Sequence, residues 1–183
     1  MTYGGVKSDI PSSLIITSDG GFALGGLTIL SDVRYSDFWL IKTDAYGNAI
    51  WNSTYGGSGE ESVGCLIETS NGGFVLVGDT REYIGASTDV LLITTDKFGN
   101  LEWNRTLGGE KNEVSNSVVQ SLDGGFVLGG ETKAFSEEEG DLWLIKVNQM
   151  GVQEFPSWVI LPLFFIVTIL ILFFIRKKRS IQC

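Results

Sequence analysis

Apolar and polar residues follow one another in short runs along most of the chain, and each run is closed by a turn signal. Residues 62–69 read "SVGCLIET", an apolar run with small residues, followed by Ser-Asn-Gly-Gly. An Asn-Gly or Asp-Gly pair between apolar runs marks a two-residue hairpin turn, because both central residues need positive φ. The run "FVLVGDT" (74–80) then reads as the return strand. After a linker (81–88), "DVLLITTD" (89–96) is apolar on both faces, the pattern of a fully covered strand. Asp96-Lys97-Phe98-Gly99-Asn100 reads as a type I turn with Gly in the left-handed position. In "LEWNRT" (101–106) the alternation puts Trp103 on the inner face and Asn104 on the outer. The prediction is four short antiparallel strands, with no helical periodicity between them.

The same pattern occurs three times. Gly20, Gly72 and Gly124 are separated by 52 residues each time, and so are Asp37, Asp89 and Asp141. The units run 3–54, 55–106 and 107–158 without a gap, and twelve columns are identical in all three. Phe74, Leu76, Gly78 and Thr80 head four of those columns at a spacing of two, which marks one face of a strand. The Gly in that row suggests a neighbouring sheet that approaches too closely for a side chain. A small sheet repeated at about 40–50 residues per unit is the signature of a β-propeller blade. A β-solenoid is the alternative, with shorter coils and fewer hairpin signals. The expected fold is therefore all-β: three four-stranded antiparallel blades over residues 1–155, in an open or partial ring. Pro156 interrupts the place of the last outer strand, so the third unit closes at 155.

The pattern changes at the C-terminus. A transmembrane helix is expected over 156–175, because residues 158–175 carry no charge and would span about 27 Å as a helix. Pro162 lies in its first turn or so, where a missing donor does least harm. Trp158 stands at one end of the apolar stretch and Arg176-Lys177-Lys178-Arg179 at the other. Such a basic stop predicts that residues 176–183 are cytoplasmic, with the repeats outside a plasma membrane and lipid held by 158–175. All 22 acidic residues precede the span against nine basic ones, so the outer part carries a net charge of −13. That surface does not suit nucleic acid or anionic lipid. The opening residues "MTYGGVKSDIPSS" have no apolar core or cleavage site, so export predicts a truncated gene or an earlier start.

The stretches "DFWLIKTDAYGNAIWNSTYGG" and "DVLLITTDKFGNLEWNRTLGG" resemble the repeats of large archaeal and bacterial cell-surface propeller proteins. They are also similar to quinoprotein and kelch-like blades, in which an Asp, a turn Gly and a Trp recur, as in Gly47–Trp51 and Gly99–Trp103. The Asp-to-Gly spacing is one residue shorter here than in the quinoprotein blade. The third unit departs further, with Asn148, Val152 and Phe155 in place of Asp, Asn and Trp. The resemblance implies a scaffold, not an activity. Likewise "EFPSW" before the span resembles archaeal sorting signals that begin Pro-Glu-Phe, though Gln153 stands where Pro is expected. That likeness implies processing near Glu154, Phe155 and Pro156 by an archaeosortase-type enzyme.

Candidate chemistry is sparse. The chain has no His, which removes Ser-His and Cys-His nucleophile pairs and disfavours catalytic zinc. Cys65 reads as a small core residue and Cys183 lies in the tail, so no disulfide framework is expected. Asn52 and Asn104 head Asn-x-Thr sequons at equivalent places on an outer strand and are glycosylation candidates. Asp9, Glu61 and Glu113 form an acidic column before each first strand. In a propeller they would ring one mouth of the channel and could share a calcium ion through oxygen ligands. Their competing role is to accept backbone N–H bonds in their own loops. Asp37, Asp89 and Asp141 read as turn acids.

The loops "ILSDVRYS", "REYIGAST" and "KAFSEEEG" differ completely, and on a rigid scaffold they are where recognition is expected. Propellers close with about four to eight blades, so three blades imply a homodimer or blades from elsewhere. The expectation is a single-pass cell-surface propeller with a binding or structural role and no cofactor. Its rivals are part of a larger quinoprotein-like enzyme and a cytoplasm-facing, tail-anchored scaffold.

Overall fold

A computed structural model describes residues 1–5, 8–29, 35–83, 86–134 and 140–154. Eleven strands and no helix lie among them. The first unit holds β1 (Asp9–Ile16), β2 (Phe22–Ile29), β3 (Ser36–Thr43) and β4 (Ala49–Tyr55). The second holds β5 (Glu60–Glu68), β6 (Phe74–Arg81), β7 (Asp89–Thr95) and β8 (Leu101–Leu107). The third holds β9 (Glu113–Gln120), β10 (Phe126–Thr132) and β11 (Asp141–Val147). Each unit is an antiparallel meander in the same register: Leu24 lies opposite Ile41, Leu76 opposite Ile93 and Leu128 opposite Ile145. One parallel pair, Ser36 with Glu60, links the first meander to the second.

Two turns close each unit, and they are built alike. Thr69 N–H donates to Gly73 O and Gly72 N–H to Thr69 O, both at 2.9 Å. Gly72 has φ +82°, while among the described residues none other than Gly has positive φ. The Asn-Gly pair is therefore not the turn with two left-handed residues that the sequence suggested. Asn71 keeps a negative φ, and Gly72 alone takes the left-handed place after it. The second turn matches expectation, with Asp96 N–H donating to Asn100 O at 2.9 Å and Gly99 at φ +79°. The Asp96 carboxylate accepts from the N–H groups of Phe98 (2.8 Å) and Asn100 (2.9 Å). Asn148 accepts the equivalent pair from Met150 and Val152, each at 3.0 Å. The Asp-to-Asn change in the third unit thus keeps the turn.

The Gly26, Gly78 and Gly130 column has a cause other than the one expected. A bulge at Ser12, Gly64 or Asn116 brings the preceding strand's backbone across the sheet. A Cβ on Gly78 would collide with the Ser62 carbonyl oxygen of the same sheet, and Gly26 and Gly130 meet Ile10 and Val114 alike. The close approach between sheets is at Gly64 instead, whose Cβ would lie 2.7 Å from Asn116 Cα.

The units pack face to face. Ala23, Phe38 and Leu40 of the first meet Leu66, Leu76 and Ile93 of the second in one apolar cluster. Val75, Val77 and Leu92 on the other face of the second sheet meet Val118, Leu128 and Ile145 of the third. The middle sheet is covered on both sides, which is why Val90, Leu91, Leu92 and Ile93 of "DVLLITTD" are apolar in succession. Residues Met1–Val152 form one compact unit. Of the second, Gln153–Cys183, only residues 153 and 154 are described. The expected span 156–175 and tail 176–183 lie outside the described residues, among which no helix is long and apolar enough to cross a membrane.

Gly78→Ala is expected to destabilise the chain by about 1–3 kcal/mol, because the carbonyl that it meets belongs to the backbone. Gly57→Ala, with nothing within 4 Å of the added carbon, should stay within about 0.5 kcal/mol. Urea unfolding followed by circular dichroism separates the two.

Candidate functional site

Each first strand is entered through a Gly-Gly loop, and each loop is held by the acid that follows it. Asp9 Oδ2 accepts the Gly5 N–H at 2.9 Å, and Glu113 Oε2 accepts the Gly109 N–H at 2.9 Å. In the second and third units the invariant Thr donates to the acid's other oxygen. Thr80 Oγ1 lies 3.1 Å from Glu61 Oε1, and Thr132 Oγ1 lies 2.9 Å from Glu113 Oε1. Glu61 and Glu113 are buried, at 4% and 2% exposure.

The invariant Asp column arrives from the preceding sheet. Asp37 of the first unit meets Glu61 of the second, and Asp89 of the second meets Glu113 of the third. An added Cβ on Gly56 would sit 2.7 Å from Asp37 Cγ and 3.0 Å from Glu61 Oε2. On Gly108 it would sit 2.7 Å from Asp89 Cγ and 2.9 Å from Glu113 Oε2. The glycine is therefore required because two carboxyl groups occupy the space beside it. Burial pushes Asp37, Glu61 and Asp89 above the usual carboxylate range. The neighbouring acid adds to the rise at Glu61 and Asp89, while a hydrogen bond with Glu61 draws Asp37 partly back. Glu61 Oε2 and Asp89 Oδ1 are buried with no hydrogen-bond donor among the described residues. A shared proton is the simplest way to satisfy such a pair.

An open cleft of about 270 Å³ leads to this junction, lined by Gly57, Glu61, Thr80, Glu82, Ser87 and Asp89. Part of the divergent loop 81–88 forms its rim, with Tyr83 exposed. The other two divergent loops lie largely outside the described residues. At the opposite end of the sheets, a cleft of about 340 Å³ runs past Asn71, Thr94, Trp103, Gln120 and Gln149.

Asp9, Glu61 and Glu113 are not brought together; each serves its own loop. Among the described residues no group of three or more His, Cys, Asp or Glu side chains could hold a metal ion. Sequence reasoning missed the pairing of the two acidic columns across sheets. Its signal was the constant offset of 24 residues from Asp37 to Glu61 and from Asp89 to Glu113. Asn52 and Asn104 lie exposed on β4 and β8, and Asn52 Oδ1 accepts the Trp39 indole N–H at 3.2 Å. Glu154 is exposed, while Phe155 and Pro156 lie outside the described residues. Cys65 is half-buried and free.

No protein-family model matches the chain, and no curated protein matches it. What the geometry defines is an all-β repeat protein with paired carboxyl groups at its sheet junctions.

The pairs set a pH response. The raised groups hold a proton in the folded state at pH values where the unfolded chain has lost it. Their contribution is therefore lost as pH rises through the folded values and is regained on acidification. Asp19, Asp44, Asp96 and Asp123 are held below the usual range by hydrogen bonds, so their stabilisation is lost as pH falls toward about 3. Thermal melting should rise from pH 7 to about pH 5 and fall below about pH 3. Glu61→Gln should flatten the first limb and leave the second.

Proposed function

We propose that the three units are blades of a β-propeller, and that the chain is a single-pass plasma-membrane protein presenting them at the cell surface. Its role on this reading is binding or structural, not catalytic. One observation carries the placement: a thrice-repeated sheet is followed by an uncharged stretch, 158–175, and then by Arg176-Lys177-Lys178-Arg179. Stacked four-stranded meanders in one register support the propeller. The exposed sequons at Asn52 and Asn104 and the net acidity of the repeats suit an outer face. Ligand recognition falls to the divergent loops, of which 81–88 borders the acid-lined cleft, because there the scaffold is constant and the sequence is not. The stretch around Glu154, Phe155 and Pro156 would be the site of any sorting-type processing, and a retained helix needs no such step.

Placement is tested by labelling with a membrane-impermeant maleimide in a background that carries Cys65→Ala and Cys183→Ala, which leaves no other thiol. Tyr83→Cys, at a position 65% exposed, should react in intact cells. Reaction only after permeabilisation would overturn the outward orientation.

A further inference from the structure

The geometry points to a second copy of this chain as the partner of both outer sheet faces, packed head to tail so that the third sheet of each copy meets the first sheet of the other. The inference rests on the blade reading and is independent of the membrane placement.

The two outer faces are the halves of an interface that the chain already makes twice. Leu40 and Leu92 are fully buried against the next sheet, whereas Leu144, in the same column, is 73% exposed. Leu142 is wholly exposed where Phe38 and Val90 are wholly buried. On the opposite face Leu66 and Val118 are buried against the preceding sheet, and Leu14 is 64% exposed. An open cleft of about 160 Å³ runs over that face, past Pro11, Leu24, Trp39 and Ile41.

An unpaired apolar face alone would not name its occupant. The matching of columns does. At the first junction Glu68 accepts from both Ser18 N–H and Ser18 Oγ, each at 2.7 Å. At the second, Gln120 accepts from Ser70 N–H at 2.8 Å. The same two columns at the open junction hold Ile16 and Leu122, both apolar and both exposed. Polar faces polar inside the chain, and apolar would face apolar between copies. Size behaves likewise. A Cβ on Gly25 would touch Leu66 at 3.4 Å, so a small residue faces a large one there. The next junction has Val77 and Val118 in those columns, and the open one has Gly129 and Leu14. Within its own chain a Cβ on Gly129 meets only Ser117 Cβ, at 3.9 Å. The room that Leu14 of a second copy needs is present.

The edge of the third sheet fits the same partner. Tyr55 ends β4 opposite Phe38, and its hydroxyl donates to Gly99 O in the next unit at 2.7 Å. Tyr3 makes the same bond to Gly47 O, so it sits where the outer strand of a preceding sheet would end. The third unit has no fourth strand among the described residues. In the ring Tyr3 of one copy would lie opposite Leu142 of the other and complete that edge. Two copies give six blades, inside the range of about four to eight in which propellers close, and three copies would exceed it. Both junctions are heterologous, and two of them close the ring.

Light scattering of the full chain in detergent, corrected for bound detergent, should give twice 19.9 kDa. Ile16→Glu places an unpaired carboxylate against Leu122 and should weaken association at least about tenfold. Adding Leu122→Ser copies the Glu68–Ser18 pair and should restore it. Gly129→Trp should block association while leaving each chain's own core intact. Circular dichroism on the same samples distinguishes loss of the ring from loss of the sheets. A folded monomer would overturn the inference. A dimer indifferent to Ile16→Glu, as one held by the apolar tail would be, would overturn it too. So would a double variant no tighter than the single one. A folded dimer with rescue would uphold it even if the labelling placed the repeats in the cytoplasm.

Discussion

Everything in this chain depends on burying both faces of one sheet. A sheet covered on one side can alternate apolar and polar residues, but a sheet held between two others cannot. The second unit meets that demand with Val75, Leu76 and Val77 in succession, and with Val90, Leu92 and Ile93 in the next strand. Each fully buried side chain of this size contributes about 1.5–3 kcal/mol relative to exposure. The close approach this packing needs then fixes the backbone. Gly64 lies against the neighbouring sheet, and the bulge that it forms forces Gly78 opposite it.

The same closeness creates the polar sites. Once the sheets are in contact, the start of β3 or β7 delivers an Asp beside the acid that opens the next sheet, and the pair is partly desolvated. A lone carboxylate there would be satisfied by the loop N–H and Thr hydroxyl donors. Two acids leave Glu61 Oε2 and Asp89 Oδ1 without donors, a cost that the fold accepts at two successive junctions. The pair recurs because both acids belong to columns of the repeat, so each new junction between units brings the same two side chains together.

The sequence made the strands legible because local chemistry decides them. Alternation, Gly-terminated turns and the Asp96 turn motif act over five to eight residues. What it could not express was contact between residues of different units. The Gly78 column was visible as a close approach, but the source of the crowding, a carbonyl two residues from a bulge, needed the register. Asp37 read as a turn acid because Glu61 lies in another sheet. The exception is instructive. Lys42 pairs with Asp19 at 2.9 Å, Lys146 pairs with Asp123, and the middle unit carries Thr94 and Asn71 at those places. Comparing the three copies column by column exposes such joint changes, so a repeat protein carries a small alignment of itself.

The tryptophans of the outer strands have a use beyond packing. The Trp51 ring lies over Gly99 and meets Phe74 edge-on, with centroids 5.7 Å apart, so it reaches from the first unit into the second. Trp103 covers Gly151, leans on Phe126 and donates its indole N–H to Gln149 O at 2.9 Å, reaching from the second unit into the third. Each junction therefore contains an indole whose surroundings come from the next sheet. The chain thus carries an indole probe at each of its two seams, Trp51 at the first and Trp103 beside Trp143 at the second, and opening a seam would expose them to water.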